Sequence, residues 1–282
     1  MLVSIAIGSG GGMLIGDKLS ETTSQHCDIS AVFSHSALLS FTIAGQQADY
    51  NQSVKHEMYI IHETSDIVVI ATRNSKNRKT GNSVQIWIMD ARMHPTESRK
   101  GPDADNQCNG CEFASKQGCY VNDNPLGAMW GAYQRGSYKY LSMGTREWYD
   151  FFSVPYVRFG AYGNPSHIPL EMVYDIAKLA KRITGYFHDW HSMPAPLAKL
   201  YGRYFMASTN NKNVEYAKNL GLRTFTVSET PLVNDIECLA DSKGLSCAEC
   251  GLCDGNYRRS SLPSIWINPH GYQKRKAIEA MA

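Results

Sequence analysis

Seven of the eight cysteines in this 282-residue chain fall into two tight groups. The first cysteine group, Cys108, Cys111 and Cys119, lies in a loop with Gly110 and Gly118, and glycine lets a backbone bend closely around a metal. Thiolates are soft ligands that select zinc, copper(I) or an iron–sulfur cluster over hard cations. Because three thiolates leave one coordination position open to a substrate or cofactor, this spacing indicates a working metal site.

The spacing of the first cysteine group also permits other interpretations. One is a structural zinc whose fourth ligand is a histidine such as His94 or His270. Another is a disulfide with one spare thiol. Disulfide frameworks are mainly needed by small domains that lack a core, and this chain is long enough to bury one. The pattern therefore favours metal-bound thiolates in a reducing cytoplasm.

The second cysteine group, Cys238, Cys247, Cys250 and Cys253, supplies four thiolates by itself. Four thiolates close a metal site, so we expect a supporting role for it, as a structural zinc or a closed iron–sulfur cluster. Such a centre contributes on the order of 10 kcal/mol to folding when the metal is zinc. Cys27 stands apart from both groups and is expected to be a bystander.

Composition restricts the partners of the chain only weakly. A net charge of +2 and 43% hydrophobic residues indicate a packed globular protein without a strong field of one sign, so any nucleic-acid surface must be local. The apolar stretch 1–19 has no basic residue before its apolar run and is interrupted by glycines, which is not typical of a targeting or membrane-spanning segment. We expect no membrane association and a cytoplasmic location.

Hydrophobic periodicity predicts an α/β fold. Short apolar runs predict strands at 58–63, 66–72, 84–90, 156–162, 184–191, 203–211, 222–229 and 264–270. Helical spacing predicts helices at 167–184 and 214–221, and the crossovers are long enough for parallel pairing. The pattern favours a complete or partial (β/α) barrel over 58–235, preceded by a poorly defined extension at 1–57. Residues 236–282 are expected to hold the cysteine-rich metal segment, the last strand and a basic tail.

Polar residues follow the predicted strands, and in (β/α) barrels the active residues gather at those strand ends. The catalytic candidates, which include one arginine inside a strand, are His188, His191, Asn164 and Arg158. The cofactor-binding candidates are Gly160, Tyr162, Gly163, Ser208, Asn210 and Glu229. Polar groups at strand mouths orient ligands, although the same side chains are also suited to capping the loops.

The histidines and arginines among these candidates each have two interpretations. His188 and His191 bind a metal or move protons together, or one is buried and hydrogen-bonded while the other lies on the surface. Arg158 and Arg223, both within predicted strands, bind a carboxylate or phosphate inside the barrel, or each pairs with a nearby acid.

A three-cysteine loop after the first barrel strand resembles the radical S-adenosylmethionine enzymes. The cysteine spacing is a variant of their CxxxCxxC, and Gly163-Asn164 stands where the family often has Gly-Glu. The segments RFGAYGNP, TGYFHDWH, FMASTNN, RTFTVSE and CAECGLCDG together resemble uncharacterised phage and plasmid proteins of the gene-product-88 kind, over about Asn74 to Gly255. The second cysteine group is similar to the auxiliary cluster domains of some radical enzymes.

This resemblance implies an iron–sulfur enzyme with one or two [4Fe–4S] clusters, S-adenosylmethionine and a reducing partner in a bacterial host cell. We expect the substrate to be a nucleotide, a nucleic acid or a peptide. The alternative is a zinc-stabilised nucleic-acid-binding or structural phage protein, in which the basic loop 73–79 and the tail 272–282 contact nucleic acid. A second alternative is a zinc hydrolase that activates water at the first cysteine group.

Overall fold

The computed structural model describes residues 57–73, 77–98, 105–108, 110–111, 113–114, 118–121, 124–257 and 261–281. The predicted extension, apart from Glu57, and Cys27 lie outside these residues. The described strands are β1 Met58–Glu63, β2 Ile67–Thr72, β3 Val84–Asp90, β4 Lys139–Tyr140, β5 Tyr156–Tyr162, β6 Arg182–Thr184, β7 Tyr186–Phe187, β8 Met206–Asn210, β9 Thr224–Val227, β10 Ile236–Glu237 and β11 Ile265–Ile267. The described α-helices are α1 Pro95–Ser98, α2 Asp105–Cys108, α3 Asn124–Gln134, α4 Arg146–Phe152, α5 Leu170–Leu179, α6 Ala195–Gly202, α7 Val214–Asn219, α8 Leu239–Ser242, α9 Cys247–Cys250 and α10 Lys274–Met281.

These strands form two mostly parallel sheets. The first has the order β4-β1-β2-β3-β5-β6, and the second has the order β10-β11-β9-β8-β7. Among the strands that the structure describes, only the pairs β1–β2 and β2–β3 are antiparallel. Gly185 alone separates β6 from β7, and a Cβ placed there would lie 2.5 Å from Phe205 Cδ1. The chain therefore passes from one sheet to the other at a position where a side chain does not fit.

Two sets of neighbouring parallel strands, β3, β5 and β6 in the first sheet and β7, β8 and β9 in the second, follow chain order with helices between their members, as the sequence predicts. β4 instead joins the far edge of the first sheet, and β11 rather than β10 lies next to β9. The predicted α/β class is confirmed. The described strands do not close into a barrel, because β2 occupies the outer edge of β3 and β10 occupies the outer edge of β11. β10 and β11 also place part of the segment after residue 235 in the same sheet as β9.

The largest core cluster lies between the sheets and the helices that cover them. It includes the inward face of α5, formed by Met172, Val173, Ile176 and Ala177. Helical spacing of Met172, Val173, Ile176, Leu179 and Ala180 predicts an apolar stripe here. All five lie in or against this cluster, and Ala177 joins them without having been predicted. Trp148 and Phe152 of α4 join the same cluster and are fully buried.

Two predicted elements are shorter than expected. The helix predicted at 167–184 begins only at Leu170, after Pro169, and ends at Leu179. The strand predicted at 184–191 is β7, two residues long, and a 3-10 turn over Asp189–His191 follows it. In place of the last helical turns the chain forms β6, since residues 182–184 pair in register with β5.

Candidate metal centres

The first cysteine group lies at the carboxyl ends of the parallel strands. Cys108 ends α2 and is buried, and the amide of Cys111 donates to the carbonyl of Cys108 at 2.9 Å. The amide of Asn164, just after β5, donates to the carbonyl of Gln107 at 2.6 Å. This contact fixes the loop against the end of β5, where the sequence predicts an active site.

Gln107 connects the first cysteine group to two strands and is fully buried. Its Nε2 donates to the Tyr162 hydroxyl at 3.1 Å, and its Oε1 accepts from Ser98 Oγ at 2.5 Å. Ser98 Oγ also lies 3.4 Å from a carboxylate oxygen of Asp90 at the end of β3. The residue before Cys108 is therefore held from both β3 and β5. The sequence analysis missed Gln107 and Ser98, because polar side chains beside a cysteine motif carry no signal of their own.

Two glycines in this loop allow its backbone to lie close to neighbouring segments of the chain. Gly110 has a φ of +65°, and a Cβ there would lie 3.3 Å from His191 Nε2. Gly118 has a φ of +105°, and its Cβ would lie 2.4 Å from the backbone nitrogen of Ala277 in α10. Any other residue at these positions would need a strained backbone and a displaced neighbour, so both glycines are required for the path of the loop.

An apolar cluster beside the first cysteine group separates part of it from solvent. Its buried members are Phe113, Val227, Ile267, Ala277 and Met281. Cys111 and Cys238, one from each cysteine group, pack against it while partly buried. Helix α10, predicted as a basic tail, thus covers the loop through its apolar face, while Lys274, Arg275 and Lys276 are exposed.

The two histidines proposed as fourth zinc ligands make different contacts. His94 contacts Thr96 Oγ1 through Nδ1 at 2.8 Å and packs edge-on against Trp130. His270 stacks on Tyr120, the residue after Cys119, with ring centroids 5.1 Å apart. No disulfide joins any of the seven cysteines that the structure describes.

A small pocket lies next to the first cysteine group. It is lined by Gly110, Phe113, His188, His191, Ser208 and Asn213. Its volume is about 10 Å³, roughly the space of one water molecule. The pocket brings together both predicted catalytic histidines and one predicted cofactor-binding residue. Phe113 and Asn213 are lining residues that the sequence analysis did not select.

The two histidines have different environments, as one of the sequence interpretations expects. His191 is exposed, whereas burial lowers the pKa of His188 to about 4. Asp189 acts in the opposite direction and His191 lowers the value further. His188 is therefore a neutral imidazole at pH 7, suited to accepting a proton or hydrogen bond rather than to balancing an anion.

The low pKa of His188 predicts a loss of stability in acid. Its unfolded value is about 6.5 and its folded value about 4, so the unfolded chain takes up the proton first as the pH falls. Stability from this group is complete above about pH 6.5 and is lost between there and pH 4, by on the order of 2 kcal/mol for a partly exposed ring. Urea unfolding at pH 7 and pH 4.5 should show a smaller acid loss in His188→Gln than in wild type. Equal losses would contradict this environment, since the other histidines are the same in both proteins.

The predicted residues at the end of β5 hold the backbone rather than project into the pocket. Tyr162 is buried and its hydroxyl donates to the carbonyl of Pro95 at 3.1 Å. Asn164 Oδ1 accepts from the amides of Ser166 and His188. The geometry that we observe for both is that of loop-capping groups.

Gly160 and Gly163 have positive φ angles, and a Cβ on either would collide with backbone. At Gly163 it would lie 2.4 Å from the carbonyl oxygen of Ile88, and at Gly160 2.8 Å from that of Gly163. The register between β3 and β5 shifts here, from Gln85 opposite Arg158 to Trp87 opposite Tyr162. These glycines therefore build the bulge that aims the end of β5 at the first cysteine group.

The remaining predicted ligand contacts lie after β8 and β9. Asn210 is buried, accepts from the Lys212 amide at 2.8 Å, and its own amide donates to Asn213 Oδ1. The carbonyl of Ser208 accepts a hydrogen bond from Trp190 Nε1 at 2.8 Å, and Ser208 lines the pocket. Glu229 is exposed. Of these three, only Ser208 borders the pocket.

The segment Cys247–Cys253 lies at the amino ends of the strands, opposite the first cysteine group. The amide of Cys247 donates to the carbonyl of Lys79 and that of Ala248 to Thr80, both in the loop before β3. Ser246 and Glu249 form a capping box around α9, and Gly251 ends it in the left-handed conformation. The chain therefore makes a single helical turn from Cys247 to Cys250 and changes direction at Gly251, before Cys253.

Arginines fix the second cysteine group to the sheets. Arg223 is buried and binds Asp254 at 3.4 Å together with the carbonyls of Leu252, Gly255 and Pro263. Of the two interpretations of Arg223, pairing with a local acid is confirmed.

β6 contributes the second set of anchors. Arg182 Nη1 donates to the carbonyls of Ala248 and Glu249, at 3.0 and 2.7 Å. Thr184 Oγ1 donates to the carbonyl of Cys253 at 2.9 Å. These bonds explain why the chain leaves α5 early, because a helix over 182–184 would turn Arg182 and Thr184 in different directions.

The four thiols of the second cysteine group influence one another. Burial raises the pKa of Cys253 well above its usual range, and Cys247, Cys238 and Cys250 raise it further. No three His, Cys, Asp or Glu side chains in the described parts of the chain are arranged to hold a metal ion. Electrostatic coupling acts over longer distances than a metal–sulfur bond of about 2.3 Å, so both findings are compatible. The four thiols are close enough to interact electrostatically, and soft donors in this number suit zinc or an iron–sulfur cluster.

Arg158 faces the second cysteine group rather than the catalytic mouth. It lies in β5 opposite Thr184, and its charge lowers the pKa of Cys247, which burial raises. The structure therefore does not place Arg158 at the first cysteine group, where a catalytic role was predicted for it. The alternation of side chains along a strand predicts that Arg158 points to one face of the sheet. Which cysteines lie against that face depends on the tertiary structure.

Two further expectations concern binding surfaces. Arg73, at the start of the predicted nucleic-acid loop, binds Glu57 at 3.3 Å and the carbonyl of Phe151 at 2.7 Å, and it lies over the Phe151 ring. Residues 74–76 of that loop lie outside the described residues. No helix in the described part of the chain is long and apolar enough to cross a bilayer.

Comparisons with known proteins add no assignment to these centres. No family model matches the chain, and searches of the curated proteins and of the solved structures found no match either. The function of the chain is therefore inferred from the residues of its two cysteine groups.

Proposed function

We propose that this chain is an iron–sulfur protein of the radical S-adenosylmethionine type that acts on a substrate yet to be identified. In this proposal the two sheets, continuous in chain order through Gly185, act as one partial (β/α) barrel. The first cysteine group holds a [4Fe–4S] cluster with one iron left for S-adenosylmethionine. The second holds a closed metal centre that supports the fold.

One observation carries the proposal. The first cysteine group follows β3, the first strand of the parallel series, and meets the ends of β5 and β7 through Gln107 and His191. Active residues of parallel α/β folds collect at this edge. A structural metal site has no need of this position. An open metal site needs thiolate ligands and, in addition, a cleft that a second molecule can enter.

The residues of the chain have definable tasks at this site. Cys108, Cys111 and Cys119 would hold the cluster, which supplies the one-electron chemistry. Gln107 and Tyr162 hold the loop in place, and the apolar cluster around Phe113 keeps water from one side of it. Excluding water and fixing the loop protect a reactive species from side reactions.

Metal analysis tests the proposal directly. Protein purified without oxygen should be brown, absorb near 400 nm, and contain four to eight iron and sulfide ions per chain by the stoichiometry of one or two [4Fe–4S] clusters. With a reductant and S-adenosylmethionine it should release 5′-deoxyadenosine. Colourless protein that contains stoichiometric zinc at both groups would overturn the proposal in favour of the zinc-stabilised alternative. Iron without release of 5′-deoxyadenosine would leave an electron-transfer or structural role and would also overturn it.

A further inference from the structure

One face of strands β5 and β6 carries a polar layer against the second cysteine group. Tyr156 lies opposite Arg182 and Arg158 lies opposite Thr184 in the register of these strands. Residues paired in register project to the same face of a sheet. Because Thr184 and Arg182 bind the backbone of the cysteine segment, Tyr156 and Arg158 must face the same segment.

Two polar atoms of this layer have no hydrogen-bond partner among the described residues. They are the hydroxyl oxygen of Tyr156 and Nε of Arg158. Tyr156 is 0% exposed, so its hydroxyl has no access to bulk solvent. A buried polar group without a partner costs about 1–3 kcal/mol. The chain therefore retains this energetically costly arrangement against the segment that carries Cys247, Cys250 and Cys253.

The thiols of the second cysteine group lie near these two side chains. Arg158 and Tyr156 are both close enough to Cys247 to interact with its thiol. The hydroxyl of Tyr186, in β7 of the second sheet, is a hydrogen-bond partner of Cys253. A protonated thiol is a weak acceptor, whereas a metal-bound thiolate is a charged and much stronger one. Metal binding, which releases the thiol protons to solvent, would supply the missing acceptor.

We propose that Tyr156, Arg158 and Tyr186 form the outer layer of a four-thiolate metal centre at the second cysteine group. Arg158 offsets the net negative charge that four thiolates leave around zinc or a [4Fe–4S] cluster, and the two tyrosine hydroxyls donate to coordinated sulfur. These are positioning residues, and Arg158 is reassigned from catalysis to this role. The inference rests on the part of the proposed function that gives the second group a metal, and not on chemistry at the first group.

The test uses the full chain with Cys108, Cys111 and Cys119 changed to serine, so that only the second group holds metal. Tyr156→Phe and Arg158→Gln are added singly to this background. The readout is the rate at which the purified protein loses its metal to an excess of chelator, followed by metal analysis. Removing such an outer partner of a metal ligand typically costs 10- to 100-fold in affinity, so we expect metal loss to be faster by about that factor.

Tyr201→Phe is the matched control, because it also removes a hydroxyl from a buried tyrosine. The Tyr201 hydroxyl donates to the carbonyl of Ile168 at 3.2 Å, away from the cysteines. We expect this control to lower thermal stability without changing metal loss. Tyr156→Phe should show the opposite pattern, with faster metal loss and a metal-free protein at least as stable as its parent.

The outcomes separate the inference from the function on which it rests. If the background protein holds no metal, the metal centre itself fails. If it holds metal but Tyr156→Phe and Arg158→Gln release it at the rate of the Tyr201→Phe control, only the inference is overturned. Should Arg158→Gln fail to fold, Tyr156→Phe decides alone, because it changes no volume beyond one hydroxyl.

Discussion

Replacing Cys119 with serine is expected to abolish the release of 5′-deoxyadenosine by reduced protein supplied with S-adenosylmethionine. Serine keeps the size of the side chain but removes the soft sulfur ligand, so the cluster would lose one of its three attachments. The loss should exceed 100-fold, since reactions of this kind have no other route in the site. Chromatographic measurement of the nucleoside, together with iron content, checks this result.

The control for Cys119→Ser is Cys27→Ser, because Cys27 stands apart from both groups in the sequence. This variant should keep the iron content and activity of the wild type. If Cys119→Ser cleaves the cofactor at the wild-type rate, the first cysteine group does not hold the reactive cluster. The same experiment with Cys108→Ser and Cys111→Ser should reproduce the loss, because three ligands act as one unit.

Replacing Arg223 with alanine is expected to lower the free energy of unfolding by about 3–5 kcal/mol. The guanidinium group binds Asp254 and three backbone carbonyls while Arg223 and Asp254 are 5% and 3% exposed. Truncation would leave the carboxylate and the carbonyls without a donor in a buried site. Since domains are stable by only about 5–15 kcal/mol in total, the melting temperature should fall by about 10 °C or more.

Arg146→Ala is the control for this loss. Arg146 also pairs with an aspartate, Asp150, but its side chain is 91% exposed. An exposed pair of this kind is worth about 0.3–0.5 kcal/mol on a helix. Arg223→Lys should recover little, because lysine cannot direct several donors in the plane of a guanidinium group. A loss in Arg223→Ala no larger than in Arg146→Ala would show that the anchors of the second cysteine group do not stabilise the fold.

The first and last residues of a strand or helix were predictable where the local sequence pattern and the tertiary contacts favour the same structure. β1, β3 and β5 span the residues predicted for them, because short β-branched runs bounded by polar residues have few other solutions. The end of α5 was not predictable, since residues 180–184 continue its helical pattern. There the pairing with β5 and the bonds of Arg182 and Thr184 outweigh helix propensity.

The amino-acid sequence by itself determined the α/β class, the bounds of strands such as β1, β3 and β5, and the presence of two thiol-rich segments, because periodicity and residue type are local properties. Only the tertiary structure decided that Cys247–Cys253 lies at the opposite end of the parallel strands from the first cysteine group, whereas Cys238 packs near Cys111. It also decided that Arg158 faces Cys247, that His188 is held neutral, and that Gln107 carries the first loop. Each of these depends on strand register and burial, which arise from contacts between residues far apart in the chain.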